Sequence, residues 1–75
     1  MLTYEELYRK GFAHIGKDAQ ISDKCSFYSP GMIWIGDNVR IDDFCILSGK
    51  ITIGNNVHIS SHTSLIGKGG IFIDN

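Results

Sequence analysis

The stretch IGDNVRIDDFCILSGKITIGNNVHISSHTSLIG, residues 35–67, repeats itself every six positions. Ile35, Ile41, Leu47, Ile53, Ile59 and Leu65 open successive hexads, and the fifth places hold Val39, Cys45, Ile51, Val57 and Thr63. Six is not close to a multiple of 3.6, so a helix would scatter these side chains around its circumference. Six is a multiple of two, so a strand keeps them on one face. Gly36-Asp37-Asn38 and Gly54-Asn55-Asn56 supply residues that tolerate a positive φ, where a chain turns a corner. Each hexad therefore reads as a short strand and a corner. Such units bury their one apolar side only by stacking coil on coil, as a parallel β-solenoid.

Working outward, the same frame is held by Ile15, Ile21 and Phe27 on one side and Ile73 on the other. Two hexads, FYSPGMIW and LIGKGGIF, are longer by two residues, the additions falling at SPGM and GKGG. Spaced six hexads apart, the additions allow two, three or six hexads per coil. Three per coil places like on like: Gly16/Gly36/Gly54, Ala19/Val39/Val57, Ile21/Ile41/Ile59, Cys25/Cys45/Thr63 and Phe27/Leu47/Leu65. Both additions then share one corner, with a tight coil between them. The result is about three triangular coils, roughly 14 Å of stack at one strand spacing per coil.

Residues 1–11 differ in kind. Thr3 and Glu6 form a capping box, Leu2 and Leu7 are spaced for a hydrophobic staple, and Gly11 suits the residue that ends a helix. The spacing predicts a helix over residues 4–10 that buries Leu7, with Tyr4 and Tyr8 as further candidates. Two turns are not stable alone, so this helix must pack on the solenoid. The expected division is a helix and turn over 1–11 and a repeat domain over 12–75. The chain stops within a hexad, at IFIDN, with nothing to cover its last strand edges. That reads as the N-terminal part of a longer protein or a truncated product.

Seventy-five residues allow one small domain. The net charge of −1 is mixed along the chain and offers no electrostatic footprint for nucleic acid. No apolar run reaches the length of a membrane span, and Glu5 and Glu6 stand where a signal peptide has its basic and apolar regions. Cytoplasm is the expected location. Cys25 and Cys45 show no zinc spacing and share an inward column on adjacent coils. That allows either a disulfide or two buried thiols that behave as small hydrophobes, the second being the expectation.

The pattern of ten consecutive units over residues 15–75 resembles the hexapeptide repeat of left-handed β-helix acyltransferases. Residues 35–67 are similar to sugar O- and N-acetyltransferases of the galactoside acetyltransferase and WbbJ type. The resemblance implies the left-handed winding, which runs against the usual crossover rule. It also implies a homotrimer and an acetyl-CoA donor, with transfer to a hydroxyl or amine of a sugar or nucleotide sugar. A noncatalytic trimeric scaffold, or a remnant without the complete site, is the competing expectation.

Three residues are candidates for that chemistry. His58, next to inward Val57, and His62, at a corner, both face outward. The resemblance gives an interfacial imidazole the role of general base, which suits a group titrating near neutral pH. Plain outward polar residues fit the same positions. Lys68, within Gly67-Lys68-Gly69-Gly70, is the candidate to meet a CoA phosphate or the acceptor; that segment lacks the Ser/Thr and following helix of a P-loop. Gamma-class carbonic anhydrases share the resembled fold and bind zinc through histidines at subunit interfaces. Here the column of His58 holds Arg40 and Gln20 and that of His62 holds Phe44 and Lys24, so no metal site is expected. Asp42 and Asp43 read as a solvated corner pair, His14 as structural, and Trp34 and Phe72 as ring partners in one column that shield the core or meet a neighbouring subunit.

Overall fold

A computed structural model describes residues 1–74. Helix α1 (Tyr4–Lys10) is followed by strands β1 (His14–Ile15), β2 (Gln20–Ile21), β3 (Ser26–Tyr28), β4 (Ile33–Ile35), β5 (Arg40–Ile41), β6 (Ile46–Ile53), β7 (His58–Ile59) and β8 (Ser64–Ile73). Every strand pairing is parallel, and together they form a left-handed β-helix of about three coils.

Three faces make the triangle. The first pairs β1 with β4, β4 with the end of β6, and that with the end of β8. The second is β2–β5–β7, and the third stacks β3 on the beginnings of β6 and β8. Strands β6 and β8 bend through a corner and so serve two faces each. Register runs Ile15↔Ile35↔Ile53↔Ile73, Ile21↔Ile41↔Ile59 and Phe27↔Leu47↔Leu65, the columns expected from six-residue spacing.

The prism is filled by the first and fifth places of the hexads. Ile21, Ile33, Ile35, Val39, Ile41, Cys45, Leu47, Ile51 and Ile53 are buried. The corner between first and second faces turns through Asp18, Asn38 and Asn56, all in the left-handed region. These are residue types whose short polar side chains make that conformation accessible. Beside them the Asp37 carboxylate accepts from Lys17 N and the Asn55 carbonyl accepts from Asp37 N, tying one coil's corner to the next. Gly36 stands where a Cβ would lie 2.5 Å from Asn55 Oδ1 and 2.8 Å from Gly54. That corner closes only on glycine.

The two long hexads share the corner between third and first faces. SPGM forms a 3-10 turn, Pro30–Met32, entered through Ser29 at φ 54°. GKGG remains within β8, with Gly70 at φ 98°. The intervening coil turns tightly at Gly49, φ 92°, and the register shifts there so that Ile51 still pairs with Ile71.

The N-terminal helix closes one end as its sequence requires. Thr3 Oγ1 accepts from Glu6 N, and the Glu6 carboxylate accepts from Thr3 N. Gly11 ends the helix at φ 80°. Leu7 is fully buried, and Leu2 packs against the core while its N–H donates to Ile21 O. Tyr4 is held by its hydroxyl, which donates to Gly16 O and accepts from Ala19 N. Neither tyrosine enters the core, although the sequence makes both candidates for it: Tyr4 is 39% exposed and Tyr8 69% exposed. Cys25 and Cys45 are free thiols on adjacent coils, donating to Asp42 O and Ser60 O respectively. No helix is long and apolar enough to cross a membrane among the described residues.

Candidate functional site

The second face carries a connected set of polar side chains. Its outward column is Gln20–Arg40–His58, set by the register Gln20↔Arg40↔His58. At the corner that follows, Asp42 turns back toward this column. Its Oδ1 accepts from Arg40 Nε at 3.0 Å, and its Oδ2 lies 2.8 Å from His58 Nε2. A carboxylate can only accept, so the tautomer that satisfies this contact carries its hydrogen on Nε2 and leaves Nδ1 as a proton acceptor. The His58 hydrogen bond, foremost, and the Arg40 pair hold the Asp42 carboxyl below its ordinary 3.8, against partial desolvation.

Asp43, its neighbour, faces a different set. Ser22 Oγ donates to Asp43 Oδ1 and accepts from Lys24 N, while Lys24 Nζ lies 4.0 Å from Asp43 Oδ2. The two aspartates keep solvent contact, as their corner position suggests, but they do not act as a pair. Each is bound to a separate coil, Asp42 forward to His58 and Asp43 back to Ser22. Two grooves flank the column. One of about 650 Å³ runs along Ser22, Lys24, Asp42 and Asp43; one of about 250 Å³ runs along Asp18, Asn38, Asn56 and His58.

His62 occupies the same corner as Asp42, one coil on, in the left-handed region at φ 62°. Its ring stacks on Phe44, centroids 5.3 Å apart, and Lys24 Nζ lies 6.0 Å from the Phe44 centroid on the coil before. This is a solvent-facing stack of cation, ring and imidazole. Lys68 projects from the third corner, the one opposite the second face, and is exposed. Within one chain the fold does not bring Lys68 to either histidine. Among the described residues, no three His, Cys, Asp or Glu side chains converge as a metal site.

Sequence reasoning missed the Asp42–His58 pair because the partners are 16 residues apart, on a diagonal rather than in one column. The coil length held the signal: Asp42 lies two places past Arg40, the residue directly beside His58. On the first face, Trp34 and Phe72 share a column as expected but do not touch in register, since Thr52 lies between them. Both are outward and exposed, so neither shields the core. His14 instead stacks on Trp34, centroids 4.5 Å apart and planes 15° apart.

Residues 32–67 match the family of bacterial transferases with the hexapeptide repeat. The chain is 48% identical over 71 residues to a dTDP-4-amino-4,6-dideoxy-D-glucose acyltransferase of Escherichia coli, covering 91% of this chain and 37% of that enzyme. It is 31% identical to a UDP-3-O-acylglucosamine N-acyltransferase of Acinetobacter baumannii, over 91% of this chain and 18% of the relative. Among solved structures it is similar to AntD, an N-acyltransferase from Bacillus cereus in complex with dTDP and 3-hydroxybutyryl-CoA. The TM-score is 0.94 at 55% identity, over 97% of this chain and 40% of AntD. The chain therefore spans less than half the length of these relatives.

Proposed function

We propose that the chain belongs to the bacterial transferases built on the hexapeptide repeat and forms part of an acyl-CoA-dependent N-acyltransferase acting on a nucleotide-linked aminosugar. The observation that carries this is the 48–55% identity, along nearly the whole chain, to enzymes of that chemistry. The relatives' activity also favours catalysis over a noncatalytic scaffold. Acetyl-CoA is one donor of the class, and AntD with 3-hydroxybutyryl-CoA points to longer acyl groups as well.

His58 is the general base in this reading. The acceptor amine attacks the thioester carbonyl, and the nitrogen gives its proton to Nδ1 of His58. The C–S bond then breaks, and the proton passes to the departing CoA thiolate. Asp42 holds the Nε2 hydrogen and so keeps Nδ1 aimed outward, which supports His58 over His62 for the task. His62, whose ring stacks on Phe44, is the second candidate for that role. Lys68 binds a phosphate of the acyl-CoA from a neighbouring chain, because its corner lies opposite the face of His58. A homotrimer supplies that neighbour, and outward Tyr28, Ile46 and Ile66 on the third face give it an apolar surface to bury. Free thiols at Cys25 and Cys45 suit the reducing cytoplasm.

The test is direct. The protein is incubated with acyl-CoA and a dTDP-4-aminosugar, and CoA thiol release is followed beside the mass of the sugar product. An acylated sugar formed with stoichiometric thiol supports the reading. Thiol release without acylated sugar, or no turnover by correctly folded protein, overturns it.

A further inference from the structure

The outward column of the first face is a ladder of rings with one rung missing. His14, Trp34, Thr52 and Phe72 occupy successive coils in register. His14 and Trp34, on adjacent coils, stack at 4.5 Å with planes 15° apart, so this column spaces rings for face-to-face contact. The next rung holds threonine, whose side chain is too short to fill it. Phe72 stands on the rung beyond, 71% exposed, and Trp34 is 40% exposed. Trp34 and Phe72 are thus two strand spacings apart, about 9.5 Å. A planar ring midway between them would lie about 4.7 Å from each, inside the range that aromatic pairs prefer.

A cleft of about 440 Å³ opens there, lined by Trp34, Thr52 and Phe72 with Gly54, Asn55 and Asp74 at its edge. Gly54 keeps that edge low. The Asn55 carbonyl is committed to Asp37 N, which leaves its amino group as a donor beside the slot. Two ring faces with a hydrogen-bonding edge are what a heterocyclic base requires; an aliphatic chain would use neither. We infer that the Trp34–Phe72 slot is a subsite for the planar base of a nucleotide substrate, with the base completing the ring ladder above Thr52. The inference rests on the acyltransferase reading, whose two substrates each carry such a base: thymine on the nucleotide sugar and adenine on CoA.

Trp34 is the single tryptophan in the chain, so its fluorescence reports on this slot. The protein is titrated with dTDP against pyrophosphate, and with CoA against pantetheine, the second of each pair lacking the base. Saturable quenching by dTDP but not pyrophosphate assigns the slot to the nucleotide sugar. Quenching by CoA but not pantetheine assigns it to the acyl donor. Phe72→Ala should weaken binding about tenfold, within what base–aromatic stacking contributes, and Thr52→Phe should abolish it by supplying the missing ring. Equal quenching by the base-free partners, or none by any ligand, overturns the inference. So does emission that responds only to protein concentration, which means that a second copy covers the slot. The wild-type pairs decide the matter if a variant fails to fold. Base binding without acyl transfer would remove the enzymatic reading and leave the slot standing; transfer without base-dependent quenching would do the reverse.

Discussion

At the scale of single residues, Asp42 and His58 define the second face. Replacing His58 with alanine should lower kcat about 10²-fold or more if it takes the amine proton. Asp42→Asn should lower kcat less, leave KM near its original value and shift the pH profile of kcat, since it acts through the imidazole. The same pair has a signature in stability. Asp42 has its folded pKa depressed, so its contribution is present above the ordinary value of 3.8 and is lost as pH falls through the lowered one. Wild type should therefore outlast His58→Ala in acid titrations followed by circular dichroism between those two values. Equal acid midpoints would count against the pair. Cys25 gives an independent check on packing. Burial pushes its thiol above the ordinary 9.0, so native protein at pH 8 should alkylate far more slowly than protein in urea.

At the scale of elements, the corners and the capping helix decide the fold. Gly36→Ala forces a Cβ against Asn55 and Gly54, and should destabilise by about 1–3 kcal/mol in urea unfolding. Tyr4→Phe deletes the hydroxyl joining α1 to the first corner and leaves Gly16 O and Ala19 N without that partner. Its cost should be about 1–3 kcal/mol by the same measurement. How far these elements were legible differs for a physical reason. The capping box, the inward columns and the shared corner of the two insertions follow from spacing, because covalent geometry and parallel register are both periodic. The Tyr4 bridge, the split duties of Asp42 and Asp43, and the exposure of Tyr8 were not legible. They depend on how a helix sits across a coil end and on which way a corner side chain rotates, and neither is periodic.

At the scale of the whole molecule, the three faces are unlike one another. One bears the ring column, one the Arg40–His58–Asp42 set, and one the apolar outward side chains Tyr28, Ile46 and Ile66. Such an exposed apolar stripe is what a subunit contact uses. Sedimentation equilibrium should give three copies for wild type, and Ile66→Asp should shift the mass toward one copy while circular dichroism is retained. A wild-type monomer at micromolar concentration would overturn the trimer, and with it the meeting of Lys68 with His58.

The third corner has one more consequence. Two of its three passages are lengthened by two residues, yet the strands on either side keep their partners, Ile33 with Ile51 and Ile51 with Ile71. Length at that vertex is thus decoupled from the pitch of the spiral, and a side chain at Gly69 would meet nothing within 4 Å. Between Gly69 and Gly70 the chain has an open port. New sequence can be spliced in there, by evolution or by an engineer grafting an epitope, and the coils beneath will keep count.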